Sequence, residues 1–539
     1  MRKRKIIEKL KESFGQFKED DFRFDLIEKY FLNKDNSDSF QVLSDKTCND
    51  LDFEELFMFL DRTTSKVGQQ CLYNNLRAIP NNISNKDKKE ELIQKLTADI
   101  DFRINTQLQL EKLNKADVFY ISSLFQEEHQ EPPKWFFVIR MLSFTSLLSL
   151  IMIPFNPQMF FVFLCAFMVN IGIHYWNKKH LYKYLGSIPQ LLRLNNIANN
   201  LFKEHAFKEL DSGLPNSIRI INQVRNRMSF FRLEASLQSE SEAIFWGILE
   251  LFKIAFLLEP LLLFGVLKRL DTKRKEIENV FSFVGEIDVL VSIASLRNGL
   301  DNYCLPEISK SKLSAKSVYH PLIPDCITNT IEISDKSILL TGSNMSGKTS
   351  FIRTIGLNMI TGLTINTCFA KLMSIPKLRI YSAIRISDDL MNDKSYYFEE
   401  VLTIKEMIEK SSNGKPNLFL LDEIFKGTNT IERISAGKAV LSTLSKNNNI
   451  VFVSTHDIEL TDMLSDEYEL YHFSEIVKDN NVDFDYKLKE GKLKNRNAIR
   501  ILQINDYPND LINEAIEISK KMDEITVANN VYTVYPNEK

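Results

Sequence analysis

The stretch ILLTGSNMSGKTSFIRTIG, Ile338 to Gly356, decides how the second half of this chain folds. It opens on an apolar run suited to a buried strand and closes on apolar residues at helical spacing. Between them lies G-x-x-x-x-G-K-[ST], with Gly342, Gly347, Lys348 and Thr349 at the fixed positions. Glycines let successive backbone amides wrap phosphate oxygens, and the N-terminus of the following helix favours their charge. Lys348 is placed to reach β- and γ-phosphates, and the Thr349 hydroxyl to ligate Mg²⁺.

Two further strand-like runs follow. NLFLLDE delivers Asp422 and Glu423 to a strand end, where ligands of parallel sheets bind. Asp422 suits a Mg²⁺ shell, and Glu423 is placed to orient or deprotonate an attacking water. The plainer reading is two acids capping the next helix. NIVFVSTHD ends in Thr455-His456, where a histidine can donate to a γ-phosphate; alone it would be an ordinary surface side chain. From about Ser311 onward short β-rich runs alternate with helices, which predicts an α/β domain with a mostly parallel sheet.

The first half has a different texture. The whole chain has 539 residues, a net charge of −3, 26% charged and 44% hydrophobic residues. That allows two to four domains and gives no global sign of a nucleic-acid partner. Six scattered cysteines without a CxxC pair suit a reducing compartment. The start, MRKRKIIEKLKESFGQFKEDD, lacks the apolar core of a secretory signal. Residues 1–45 read as a solvated helical segment, and helical spacing runs through LDFEELFMFLDRTTSKVGQQCLYNNLRAIP.

Trp135–Ile153 contains one charge, Arg140, and Met159–Trp176 contains none. As helices of about 27–28 Å these approach the ~30 Å of bilayer hydrocarbon. PFNPQ between them stops a helix. Lys134 before the first run, Lys178 and Lys179 after the second, and an uncharged turn predict a membrane hairpin over 134–178 with both arms cytoplasmic, a multi-pass anchor. A buried helical hairpin of a soluble core is the alternative. A third run, Ala243–Leu267, is a weaker candidate for a membrane segment, since it holds Glu250, Lys253 and Glu259; the first two are spaced to pair on a helix.

TGSNMSGKTSFIR resembles the TGPNMxGKST motif of the MutS family, and LLDEIFKGTNTIERISAGKAVL its DEIGRGTST motif. VSTHDIELTDM is similar to ATHxxEL, and IRISDDLMNDKSYYFEEV to RIGAxDDLxxGxSTFxxEM. VYHPLI resembles RHPL, EIDVLVSIASL resembles LDVLxSLA, and FMFLDRTTSKVGQQCLYNNLRAIP the opening of the helical core. The likeness covers roughly Leu51 to the C-terminus and is strongest from Tyr319. It implies ATP and Mg²⁺ as cofactors, with Gly342, Asn344, Ser346, Gly347, Lys348, Thr349 and Ser350 on the nucleotide and Thr349 and Asp422 on the metal. Glu423, His456 and Ser395 would be the catalytic set. Ser395 falls on the signature serine that completes the opposite subunit's site, which implies a homodimer; a helix cap is its ordinary reading. Asp388 and Asp389 receive no catalytic role.

The resemblance implies a multidomain chain: a helical core over 46–130, the transmembrane hairpin, a second helical core and lever part over 179–310, and a P-loop (ABC-type) ATPase domain over 311–539 with C-terminal dimerisation helices. Ser343 replaces the family's proline, and Phe425-Lys426 its Gly-Arg. No phenylalanine–x–glutamate wedge can be assigned, so DNA, mismatched or branched, is a partner by resemblance only, without mismatch recognition. Tyr486–Arg500 is basic, though a charged strand pair facing water explains it as well. The expected function is a membrane-anchored, mismatch-repair-related ATPase whose composite dimer sites drive lever movement. The rivals are an ABC-transporter-like subunit, against which no LSGGQ-like signature precedes LFLLDE, and a nucleotide-gated membrane scaffold.

Overall fold

The computed structural model describes residues 2–81, 86–225, 243–333, 336–343, 345–385, 396–478, 481–493, 499, 502–503 and 507–532. The chain folds as two compact units, Met1–Val42 with Glu54–Asp301 and Leu43–Phe53 with Asn302–Lys539.

The first unit is built of helices. Lys66–Arg77 lies against Arg274–Asn298, and both are almost wholly buried. Glycine permits this closeness: a Cβ on Gly285 would sit 2.2 Å from Cys71 Sγ. At the N-terminus of Lys66–Arg77, Asp288 accepts from the amides of Thr64 and Ser65 at 2.8 and 2.7 Å. A polar group buried at a helix start thus finds its donors.

Phe136–Met152 and Met159–Phe202 form a helical hairpin, with the rings of Trp135 and Trp176 5.1 Å apart at its base. In the turn, Asn156 Oδ1 accepts from the Gln158 amide at 3.1 Å. Phe137, Phe144, Phe155, Phe161 and Met168 are each more than 60% exposed. Met159–Lys179 is long and apolar enough to cross a membrane, with a mean hydropathy of 1.7 and 17% of its apolar window buried. Leu258–Asn298 passes the same test but is 83% buried, as a core helix is.

The second hairpin helix runs unbroken for 44 residues to Phe202, with Pro189 inside it, and its apolar stretch ends at Lys179. Ala243–Leu267 is not one helix: Leu257 takes a left-handed φ of 47°, splitting it into Ala243–Phe256 and Leu258–Leu270. Pro260 follows within the first turn of the second piece, where a missing amide donor is tolerated. Glu250 and Lys253 do pair, at 2.6 Å.

The second unit is α/β. Its main sheet comprises β1 (Ser337–Thr341), β2 (Arg379–Ala383), β3 (Asn417–Asp422), β4 (Ile450–Ser454), β5 (Tyr468–His472) and β6 (Lys489–Glu490), in the order β6-β5-β1-β4-β3-β2. All neighbours are parallel except β5 and β6. β1 and β4 are buried along their whole length, as strands covered on both faces must be. A second sheet orders Glu307–Ser309, Leu372–Pro376, Leu313–Val318 and Asn329–Ile333. Part of the chain assigned to the helical core from residue 46 belongs here instead. Asp50, at the end of helix Asp45–Asp50, accepts from Ser382 Oγ, Ile384 N and Arg385 N at 2.7, 3.1 and 2.8 Å, closing off the end of β2.

Candidate active site

β1 ends in the glycine loop, and helix Lys348–Ile365 begins directly after it. Gly342 has φ 148° and Gly347 φ 105°, conformations that favour glycine. A Cβ on Gly342 would also meet the Phe473 carbonyl at 2.7 Å. The Lys348 ammonium donates to the carbonyls of Gly342 and Ser343, each at 2.8 Å. Burial lowers its pKa, while the charges of Glu423 and Asp422 oppose that shift. Ser346, buried, donates its hydroxyl to the Ser343 carbonyl at 2.8 Å, stiffening the loop, and Ser350 lines the adjoining cavity. Asn344 lies outside the described residues.

The strand ends bring the other groups to this loop. Thr349 Oγ1 donates to Asp422 Oδ2 at 2.8 Å, and Ser454 Oγ bonds the other oxygen of the same carboxylate. A hydroxyl and a carboxylate side by side are the hard oxygen donors that Mg²⁺ takes, so these two residues fit the ion. Glu423 follows with a left-handed φ of 51°, its amide donating to the Ser454 carbonyl at 3.0 Å. That turn holds its carboxylate between His456 Nε2 at 2.5 Å and Lys426 Nζ at 2.9 Å. Burial alone would raise its pKa, but hydrogen bonds from His456 and Lys426 outweigh this and hold it at about 2. So acidic a carboxylate is ionised at neutral pH. Sequence reasoning noted Lys426 only as a departure from a motif and missed this contact. Ser395, Asp388 and Asp389 lie outside the described residues.

A cavity of about 930 Å³ adjoins the loop. Gly347, Lys348, Thr349 and Glu423 line one side of it, and segment 318–329 with Tyr486 the other. Tyr486 crosses above the loop, where a Cβ on Gly347 would meet its ring at 3.3 Å. Asn329 fixes that tyrosine's backbone, donating to its carbonyl at 3.1 Å and accepting from the Leu488 amide at 2.8 Å. Tyr319, Phe484 and Tyr486 are among the residues that line the cavity. His320, on the same wall, is brought down to about 4 by burial and the nearby Arg353. The sequence did not announce this grouping of aromatics, because they come from segments far apart in it.

Parallel strands, a glycine loop opening a helix and an acidic strand end define the class: an α/β domain with a mostly parallel sheet. Residues 338–523 match the protein family described as MutS domain V. Among similar proteins is the DNA mismatch repair protein MutS of Oceanobacillus iheyensis, 27% identical over 265 residues, 46% of this chain and 30% of the relative. The MutS of Thermotoga maritima is 29% identical over 229 residues, 41% of this chain and 29% of the relative. That of Petrotoga mobilis is 30% identical over 272 residues, 48% of this chain and 33% of the relative. The chain therefore spans about a third of the length of the curated relatives it matches. The likeness to the MutS family thus lies in the second half of the chain.

Proposed function

We propose that this chain is a MutS-related ATPase that hydrolyses ATP with Mg²⁺ at composite sites of a homodimer and is held at a membrane by its apolar hairpin. Gly342, Ser346, Gly347 and Lys348 receive the phosphates, and Ser350 stands at the helix start beside them. Mg²⁺, held by Thr349 and Asp422, supplies positive charge to the β- and γ-phosphate oxygens. Glu423 orients the attacking water, and His456, bonded to it, senses the γ-phosphate position. One observation carries the reading: a carboxylate kept ionised between His456 and Lys426, next to the Thr349–Asp422 pair. Binding alone needs no such group.

The hairpin's exposed aromatic and aliphatic side chains and its paired base tryptophans support the membrane anchor. DNA is the partner suggested by the names of the relatives, and no residue is assigned to reading a mismatch. The deciding experiment measures ATP binding and turnover of the purified chain in detergent. Glu423→Gln keeps binding and loses turnover by about 10²-fold or more; unchanged hydrolysis in that variant overturns the assignment.

A further inference from the structure

The hairpin's second helix carries a polar stripe in an otherwise apolar run. Asn170, His174 and Asn177 share one face and are each at most 1% exposed. Asn170 Nδ2 donates to Ser146 Oγ at 3.1 Å and to the Ala255 carbonyl at 2.8 Å, docking this face on the Ala243–Phe256 helix. Below it His174 lies between two carboxylates: Nε2 is 3.2 Å from Glu250 Oε1, and Nδ1 is 3.7 Å from Glu259 Oε2. Lys253, also buried, bridges the same two acids, 2.6 Å from Glu250 and 2.5 Å from Glu259. Lys178 reaches Glu250 at 3.2 Å from the more exposed side.

Two features point to a ligand. Buried His174 Nδ1 and Glu259 Oε2 make no hydrogen bond, although both face the centre of the cluster. Among the described residues Glu259, 1% exposed, meets one ammonium, Lys253, which it shares with Glu250, and a buried carboxylate is costly unless paired and fully hydrogen-bonded. One ligand atom each from His174, Glu250 and Glu259 lies within 4.8 Å of the others. An imidazole with two carboxylates suits Zn²⁺ or Mn²⁺ better than Ca²⁺, which takes six to eight oxygens.

We propose that His174, Glu250 and Glu259 form a binding site for a divalent transition metal, for which the Lys253 ammonium competes. The site joins the hairpin helix to the two helices on either side of Leu257, so an ion there clasps three elements. It is independent of the nucleotide reading, which uses none of these residues.

The test strips the full-length chain in detergent with chelator and offers Zn²⁺ or Mn²⁺ in excess Mg²⁺, which keeps the oxygen-only Thr349–Asp422 site occupied. Metal retained after desalting is then counted by mass spectrometry. About one ion per chain is expected, with affinity about 10–100-fold weaker in His174→Ala and Glu259→Gln and tighter in Lys253→Met. Far-ultraviolet circular dichroism and a thermal melt check that each variant is folded. No retained metal in the parent chain, equal retention in folded His174→Ala, or weaker retention in folded Lys253→Met overturns the proposal.

Discussion

Thr349 Oγ1 donates to Asp422 Oδ2 at 2.8 Å, tying the second residue of the loop helix to the last residue of β3. The two residues are 73 apart in sequence, yet the parallel register of β1, β4 and β3 brings them together. Thr349→Val removes the hydroxyl while keeping the shape. The Mg²⁺ concentration for half-maximal ATP turnover should rise about 10–100-fold. Nucleotide binding measured without Mg²⁺ should change far less.

The Glu423 carboxyl, held at about 2 against an ordinary 4.5, gives a pH dependence with a definite sign. A depressed carboxylate contributes stability that is fully present above its unfolded value and is lost as pH falls through its folded one. The melting-temperature gap between the parent chain and Glu423→Gln should therefore be constant above about 4.5 and close between there and about 2. Lys426→Ala removes one of the two partners and should raise the lower edge of that window and shrink the gap.

Asp50 is 1% exposed and satisfies one hydroxyl and two amides at the end of β2. Asp50→Ala leaves those donors unpaired and should cost the α/β unit about 3 kcal/mol, given the strength of hydrogen bonds to charged groups. Denaturant unfolding followed by near-ultraviolet circular dichroism reads the loss.

Gly285→Ala tests the helical unit. Its new methyl would fall 2.2 Å from Cys71 Sγ, deep between two buried helices. Overpacking of this kind costs about 1–3 kcal/mol. Cys71→Ala in the same chain should recover part of the loss, a coupling that a double-mutant cycle measures.

For the anchor, Phe144 and Met168 are 62% and 63% exposed on the two hairpin helices. A charge at the centre of a membrane helix costs about 2.5–3.5 kcal/mol. The double variant Phe144→Asp, Met168→Asp should shift the chain from the membrane to the supernatant after carbonate washing. Its ATP binding should be unaltered.

The loop was legible because its demands are local. Two glycines at fixed spacing adopt φ values of 148° and 105°, and the strand and helix around them follow from apolar period. Asp422 and Glu423 were legible for the same reason, as the last residue of an apolar strand and the one after it. The grip of Lys426 and His456 on Glu423, the Tyr486 cover and the attachment of Leu43–Phe53 to the α/β unit were not. Each joins segments far apart in sequence or depends on a backbone turn that no side-chain pattern announces. The interruption at Leu257 was hidden too, since leucine rarely adopts a positive φ. The acids of Ala243–Leu267 read as obstacles to burial. In the structure they bury together with a lysine and a histidine.

The unbroken helix Met159–Phe202 sets the mechanics of the first unit. At about 1.5 Å per residue it is a rod of some 66 Å, with Pro189 as an internal weak point. Its far half is inlaid among the buried leucines and isoleucines of the unit. Whatever grips the end near Met159 consequently steers the helical body as a shaft steers a wheel, passing on tilt and twist that a slack leash would dissipate.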